Sequence, residues 1–353
     1  MVEYIYWDFK NTPVTIEQYR SFLTEYYGDS ANSRYERAMW YHQRGNYQVL
    51  LALENGCIIG QSCVYKVYAI VNGKKEDFWW GVDAFVLPAA RGKGVGKKLQ
   101  KKLHEDFFYF SSLWYSKTNG FIKRKCGAWE LVKVPFNYYP VCSFLSVVLR
   151  VFIKRVLHHK MFVPITYKDK YFILNNFFAS RNKWMVKDVC LSEQMDELMP
   201  LVNDSLKKHD FYVIRDKDYL IWKYLKNPTI GEYKTLFFYS LINPDELQGA
   251  VIFSTPYIKT TFSIPLKVFT ILDCFVLPGS RLSKYRILLE TIRYYHQLGI
   301  AMDGVLTLGN FSYFPFIRYP WSGTALLTNY VKKTKIENPY LSYSDQDMEQ
   351  MIL

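Results

Sequence analysis

Val86-Leu87-Pro88-Ala89-Ala90-Arg91-Gly92-Lys93-Gly94-Val95-Gly96-Lys97-Lys98-Leu99 reads as the end of a strand, a sharp turn and the start of a helix. Gly92, Gly94 and Gly96 remove side chains where consecutive backbone N–H groups must converge on an anion. The helix that follows points its positive end at the same spot. Arg91, Lys93, Lys97 and Lys98 surround that spot with formal charge. Other phosphate motifs fit badly. A Walker A loop needs Gly where Arg91 stands and Ser or Thr where Lys98 stands, and a GxGxxG begun at Gly92 fails at Lys97.

Working outward, the strand before this turn has an echo. Asp83-Ala84-Phe85-Val86-Leu87-Pro88 returns as Asp273-Cys274-Phe275-Val276-Leu277-Pro278, 190 residues later. Arg91 then falls on Arg281 and Leu99 on Leu289. Upstream, Met39-Trp40-Tyr41 is matched by Ile221-Trp222-Lys223-Tyr224, each ahead of a strand. Downstream, Leu113-Trp114-Tyr115 with Asn119 is matched by Val305-Leu306-Thr307-Leu308 with Asn310. Ordered echoes at several points indicate an internal duplication.

Periodicity predicts similar elements in each copy. In the first, strands are expected near 3–9, 47–54, 57–71, 76–87, 112–116 and 129–138, with helices at 15–27, 31–43 and 94–107 and a short one before the last strand. Asn72-Gly73 marks a hairpin turn. In the second, strands are expected near 233–241, 248–255, 266–277 and 303–308, with helices near 192–207, 217–225 and 281–298. The resulting class is α/β, with each copy a mixed, mostly antiparallel sheet flanked by helices. The expected division is a domain at 1–142, a linker at 143–180 and a second domain at 181–353.

Bulk properties agree with two packed domains. Of 353 residues half are hydrophobic and 18% aromatic, enough for a large core. A net charge of +13 suits an anionic ligand or surface, and no zinc-finger, RNP or basic-zipper pattern points to nucleic acid. The six cysteines form no CxxC pair and no Cys/His cluster of metal spacing, so they read as reduced core thiols and no metal is expected. His104 is expected at the surface, and Trp40, Trp79 and Trp80 in the core or against an acceptor. The start of the chain lacks the pattern of a signal peptide, which implies a cytoplasmic protein. Residues 144–159 space Arg150, Lys154 and His158 every fourth position opposite an apolar face, an amphipathic basic helix suited to packing between domains or to peripheral contact with anionic lipid.

Arg91-x-x-Gly94-x-Gly96, after Val86-x-Pro88 and before an amphipathic helix, resembles motif A of the GNAT acyltransferases, whose pattern is Q/R-x-x-G-x-G/A. Asn119 followed by Lys125-Cys126-Gly127 resembles the family's motif B. The resemblance implies two tandem GNAT-like domains and acetyl-CoA or another acyl-CoA as co-substrate. It implies that Ala84, Phe85 and Val86 pair with the pantetheine arm and polarise the thioester carbonyl through a backbone N–H. Arg91, Gly92, Lys93, Gly94, Val95, Gly96 and Lys97 would hold the pyrophosphate, and Asn119 would meet the arm further on. In the second copy Gly94 and Gly96 are replaced by Lys284 and Arg286, so only the first is expected to bind CoA.

The implied reaction is acyl transfer, acetyl being the simplest case, to an amine of a small or sugar-linked acceptor. Asp83, on the strand, is the candidate general base. The helix after Asn119 lacks the Tyr that many GNAT enzymes use as acid, which leaves Tyr115, Tyr138 or Tyr139 as substitutes. Two other readings stay open: a non-catalytic CoA-binding or sensor protein, and an aminoacyl-tRNA-dependent transferase of related tandem fold.

Overall fold

The computed structural model describes residues 1–10, 12–113, 115–141, 184–228, 232–261, 264–300, 302–308, 319–328 and 336–345. The expected helix at 144–159, most of the linker, and Asn310 lie outside these residues.

The first half runs β1 (Val2–Trp7), α1 (Ile16–Tyr27), α2 (Ala31–Gln43), β2 (Tyr47–Glu54), β3 (Cys57–Val71), β4 (Lys74–Val86), α3 (Val95–Asp106), β5 (Phe110–Ser112), α4 (Lys117–Lys125) and β6 (Trp129–Pro140). Local chemistry accounts for the boundaries. Thr15 opens α1 through a reciprocal capping box with Gln18. Asn72 and Gly73 both take positive φ, the hairpin geometry that closes β3 onto β4. On α3, Val95, Leu99 and Leu103 are buried against Leu50, Ala52 and Val64 of the sheet, while the lysines between them face outward. Helices α1 and α2 cover the opposite face, where Trp7, Tyr19 and Phe22 join the main core.

The second half runs β7 (Trp184–Val189), α5 (Met195–Leu206), β8 (Phe211–Val213), α6 (Lys217–Leu220) continuing as one π turn (Ile221–Leu225), β9 (Tyr233–Ser240), β10 (Leu247–Ser254), β11 (Tyr257–Thr261), β12 (Ile264–Val276), α7 (Lys284–Gln297), β13 (Gly304–Leu308) and β14 (Tyr319–Thr328). The strands β7, β8, β11 and β14 extend the elements expected from periodicity.

The main sheet order is β1-β2-β3-β4-β5-β14-β6-β13-β12-β10-β9-β7, with β8 on β3 and β11 on β12. Pairing is antiparallel except for β4–β5 and β12–β13. The last strand of each half crosses over: β6 lies between β13 and β14, and β14 lies between β5 and β6. The echoed tryptophans Trp40 and Trp222 stack on one another, 4.3 Å apart and nearly parallel. The largest buried cluster takes residues from both halves, from Trp7 to Tyr343. Among the described residues no helix is long and apolar enough to cross a membrane. Of the cysteines, Cys63 and Cys274 are core residues as expected, whereas Cys57 and Cys190 are exposed.

Candidate functional site

After β4 the chain makes a short 3-10 turn over Pro88–Ala90, and Gly92 and Gly94 then take φ of +82° and +77°. A side-chain-bearing residue would be strained at either position. Gly94 is the N-cap of α3, and no side chain caps that end. The first N–H groups of α3 are therefore left for an external acceptor. Helix α4 begins differently, because Ser116 accepts from the Asn119 backbone N–H.

A cleft of about 800 Å³ opens at these two helix ends. Its walls are Ala84, Phe85 and Val86 of β4, the turn from Ala90 to Lys97 without Lys93, one face of α3, and Asn119, Phe121, Ile122 and Lys125 of α4. Of the residues expected to bind CoA, ten of the eleven thus share one surface: Ala84, Phe85, Val86, Arg91, Gly92, Gly94, Val95, Gly96, Lys97 and Asn119, whereas Lys93 turns away to Glu54 at 3.3 Å. Arg91 donates its Nε–H to the Val86 carbonyl at 3.1 Å, which ties the turn back to the strand.

The inner end of the cleft lies where the sheet opens. β4 and β5 pair only at Trp79 with Phe110 and Trp80 with Ser111. The β3–β4 register slips between Gln61 and Cys63, and opposite that slip Asp83 takes φ of +44°, a conformation costing about 1–3 kcal/mol. Tyr26 stacks on Phe85 at 3.9 Å and closes the α1 side.

The expected catalytic groups stand elsewhere. Asp83 is not part of the lining; Arg37 donates to both of its carboxylate oxygens, at 2.7 and 2.8 Å, and Tyr27 donates its O–H at 3.4 Å. Arg34 lies 3.8 Å from the same carboxylate. Burial, and then the Asp83 charge, push the Tyr27 phenol well above its ordinary value, so it stays protonated. Tyr115 packs its ring on Gly120 and beneath Arg124, outside the lining. Tyr138 donates to the Asp303 carbonyl, and Tyr139 is fully buried in a separate cluster. Trp40 and Trp80 are core residues, and Trp79 packs on Phe107 at 4.4 Å. Contrary to expectation, His104 is not a surface residue: its ring meets Phe110 edge-on, and burial, with Lys123 second, lowers its pKa to about 3.

Three features escaped the sequence reading. Lys123 of α4 is buried over the Phe110 ring, 4.1 Å away, and burial lowers its pKa to about 7. Gln61 and Gln100, both buried, line the cleft from β3 and α3. A glutamine inside the run Gly60-Gln61-Ser62-Cys63, and another on the apolar stripe of α3, are the signals that mark them.

The acetyltransferase (GNAT) family model matches residues 15–110. That span holds α1 to β5, hence the turn and most of the cleft. No curated protein matches the chain. Among solved structures, the chain is similar to a GCN5-related N-acetyltransferase from Anabaena variabilis, at 14% identity, covering 92% of this chain and 72% of that one, TM-score 0.58. It is similar to a probable N-acyltransferase from Enterococcus faecalis, at 10% identity over 93% of this chain and 72% of that one, TM-score 0.56. Saccharomyces cerevisiae N-myristoyltransferase with bound myristoyl-CoA follows at 12% identity, over 99% and 83%, TM-score 0.51. These comparisons establish a likeness of fold, a GNAT-like α/β architecture.

Proposed function

We propose that the chain is an acyl-CoA-dependent N-acyltransferase that moves a short acyl group, acetyl being the reference, to an amine of a small or sugar-linked acceptor. The observation that carries this reading is the uncapped N-terminus of α3 opening into the cleft. The turn from Arg91 to Lys97 would hold the pyrophosphate, Ala84 to Val86 the pantetheine arm, and Asn119 the arm beyond. Acyl-CoA, when bound, supplies the activated acyl group. The family match over residues 15–110 and the N-acyltransferases among the similar folds support the assignment.

The two halves are read as tandem copies, with the expected divisions at 142 and 181 and with CoA binding confined to the first. Matching hexapeptides at the ends of β4 and β12, matching parallel pairs β4–β5 and β12–β13, and the Trp40–Trp222 stack favour this reading. A non-catalytic CoA-binding role is the second reading. It is favoured by the Asp83–Arg37 pair and by a described lining with no carboxylate or imidazole. The double substitution Gly94→Glu with Gly96→Glu tests the site: acetyl-CoA affinity measured by calorimetry should fall more than about a hundredfold from the two negative charges added at the helix end. Retained affinity would overturn the assignment. Thiol release from acetyl-CoA across an amine panel separates the enzyme from the binding protein.

A further inference from the structure

The positive charge of this chain is concentrated around the mouth of the cleft. Residues 91–125 hold ten Lys and Arg against two acidic side chains, so this short stretch carries eight of the chain's thirteen net positive charges. It forms the turn, α3 and α4. The two helices touch where the Cys126 thiol donates to the Lys97 carbonyl at 3.8 Å. Burial raises the Cys126 pKa, and Lys97, Lys123 and Lys101 all oppose that rise, so lysines of both helices converge there. The basic faces of α3 and α4 are therefore one continuous surface.

Only part of this charge lies within reach of a nucleotide in the cleft. Arg91, Lys97 and Lys125 line it. Lys101 and Lys117 do not, although Lys117 stands between two lining residues, Ser116 and Thr118. Both lysines are exposed. Lys117 has no acidic partner among the described residues, and Lys101 has only Glu105, 3.6 Å away in an open pair of small worth. A solvated helix face needs no partner beyond counter-ions. What sets this face apart is its place, since like charges gathered round an entrance attract and steer an anionic body towards it.

We infer that α3 and α4 dock an acidic protein that carries the acyl group on its own phosphopantetheine arm, the arm reaching into the cleft from that protein. This rests on the proposed acyl-thioester site. A pantetheine thioester is held through its phosphate either by an adenine nucleotide or by a serine of a carrier protein. The uncapped start of α3 suits a phosphate from either source. Lys101 and Lys117, outside the cleft, are met only by the larger one, and a surface of carboxylates matches them in sign. In the transfer the acceptor amine bonds to the acyl carbon and the C–S bond breaks. The thiolate left on the carrier's arm takes the proton that the amine gives up.

The test measures affinities by calorimetry, without acceptor, for acetyl-CoA and for an acidic acyl carrier protein acetylated on its arm. The acetylated carrier should bind at low salt at least about tenfold more tightly than the same carrier without its arm, and should loosen as salt is added. Lys101→Glu with Lys117→Glu should weaken carrier binding about tenfold while acetyl-CoA affinity stays within about twofold. Lys101→Ala with Lys117→Ala, which adds no like charge beside Glu105, carries the comparison if the reversal disturbs α3. A wild-type protein that binds acetyl-CoA but not the acetylated carrier would overturn the inference. So would an equal loss of both ligands in the double variant, which would assign those charges to CoA. Equal binding of the armless carrier, or its replacement by an RNA of the same net charge, would overturn it too, leaving a general polyanion surface. Failure of both acetyl-CoA and the acetylated carrier to bind would instead remove the site reading, and the inference with it.

Discussion

Helices α3 and α7 hold matching places: each follows a strand ending in the echoed hexapeptide and leads to a strand that pairs in parallel with it. Their first turns are opposites. α3 starts at Gly94, left-handed and with no side-chain cap. α7 starts at Ser283, whose hydroxyl accepts from the Arg286 N–H, and the Arg286 guanidinium is taken by Glu290 at 2.7 Å. No side chain caps the start of α3, whereas Ser283 takes up one backbone N–H at the start of α7. The same contrast holds one step upstream. Asp83 lies at the edge of the cleft, whereas Asp273 is fully enclosed by Arg215, Tyr224, Tyr340 and Ser344. The more enclosed carboxylate has the more internal bonds, because an enclosed polar group must find its partners inside.

The largest expected effect comes from breaking the closed side. Arg215→Met leaves the carboxylates of Asp273 and Asp345 enclosed without their cation, and should cost about 3–5 kcal/mol by urea denaturation. Arg37→Met in the first half should cost less, about 1–3 kcal/mol, since Asp83 keeps some access to water. Equal costs would undo the contrast.

Next comes a paired test of the helix ends. Gly94→Ala forces an L-residue into φ +77° and should lower acetyl-CoA affinity about tenfold, for about 1–2 kcal/mol of strain. Ser283→Ala should cost about 1 kcal/mol of stability through the lost cap and leave acetyl-CoA affinity unchanged. A change in affinity from Ser283→Ala would show that the second half shares the ligand.

The smallest effect, taken per pH unit, is a slope with pH. Lys123 holds its proton less firmly folded, with a pKa near 7, than unfolded, near its ordinary value. Between those values the unfolded chain binds more protons, so stability should rise as pH increases from about 7 towards 10, by at most about 1.4 kcal/mol per unit. Lys123→Met should flatten that rise and stabilise the protein most at neutral pH. An unchanged slope would mean that Lys123 is charged in the folded state.

Much of this was legible where the signal is local. The Thr15 cap, the Asn72-Gly73 hairpin and the stripe Val95-Leu99-Leu103 each act within a few residues, and each element stands where its pattern puts it. The turn from Arg91 to Lys97 was legible for the same reason. The exchange of β6 and β14 was not, since which strand lies beside which is decided by packing across the whole chain. β8, at three residues, is too short to show a period, and β14 carries Pro320 and Gly323. Asp83 read as a candidate base because its partner Arg37 lies on a different element, 46 positions away.

The crossed strands also set an order of events for a growing chain. β5, beside the cleft, obtains its second neighbour from Leu327 and Thr328, and both partners of β6 are made after it. A nascent chain ending at Pro140 would carry β6 with neither ladder formed and β5 with one open side, a template for pairing with other copies. Completion of the sheet therefore waits on its last strands, and folding should be slow and all-or-none rather than half by half.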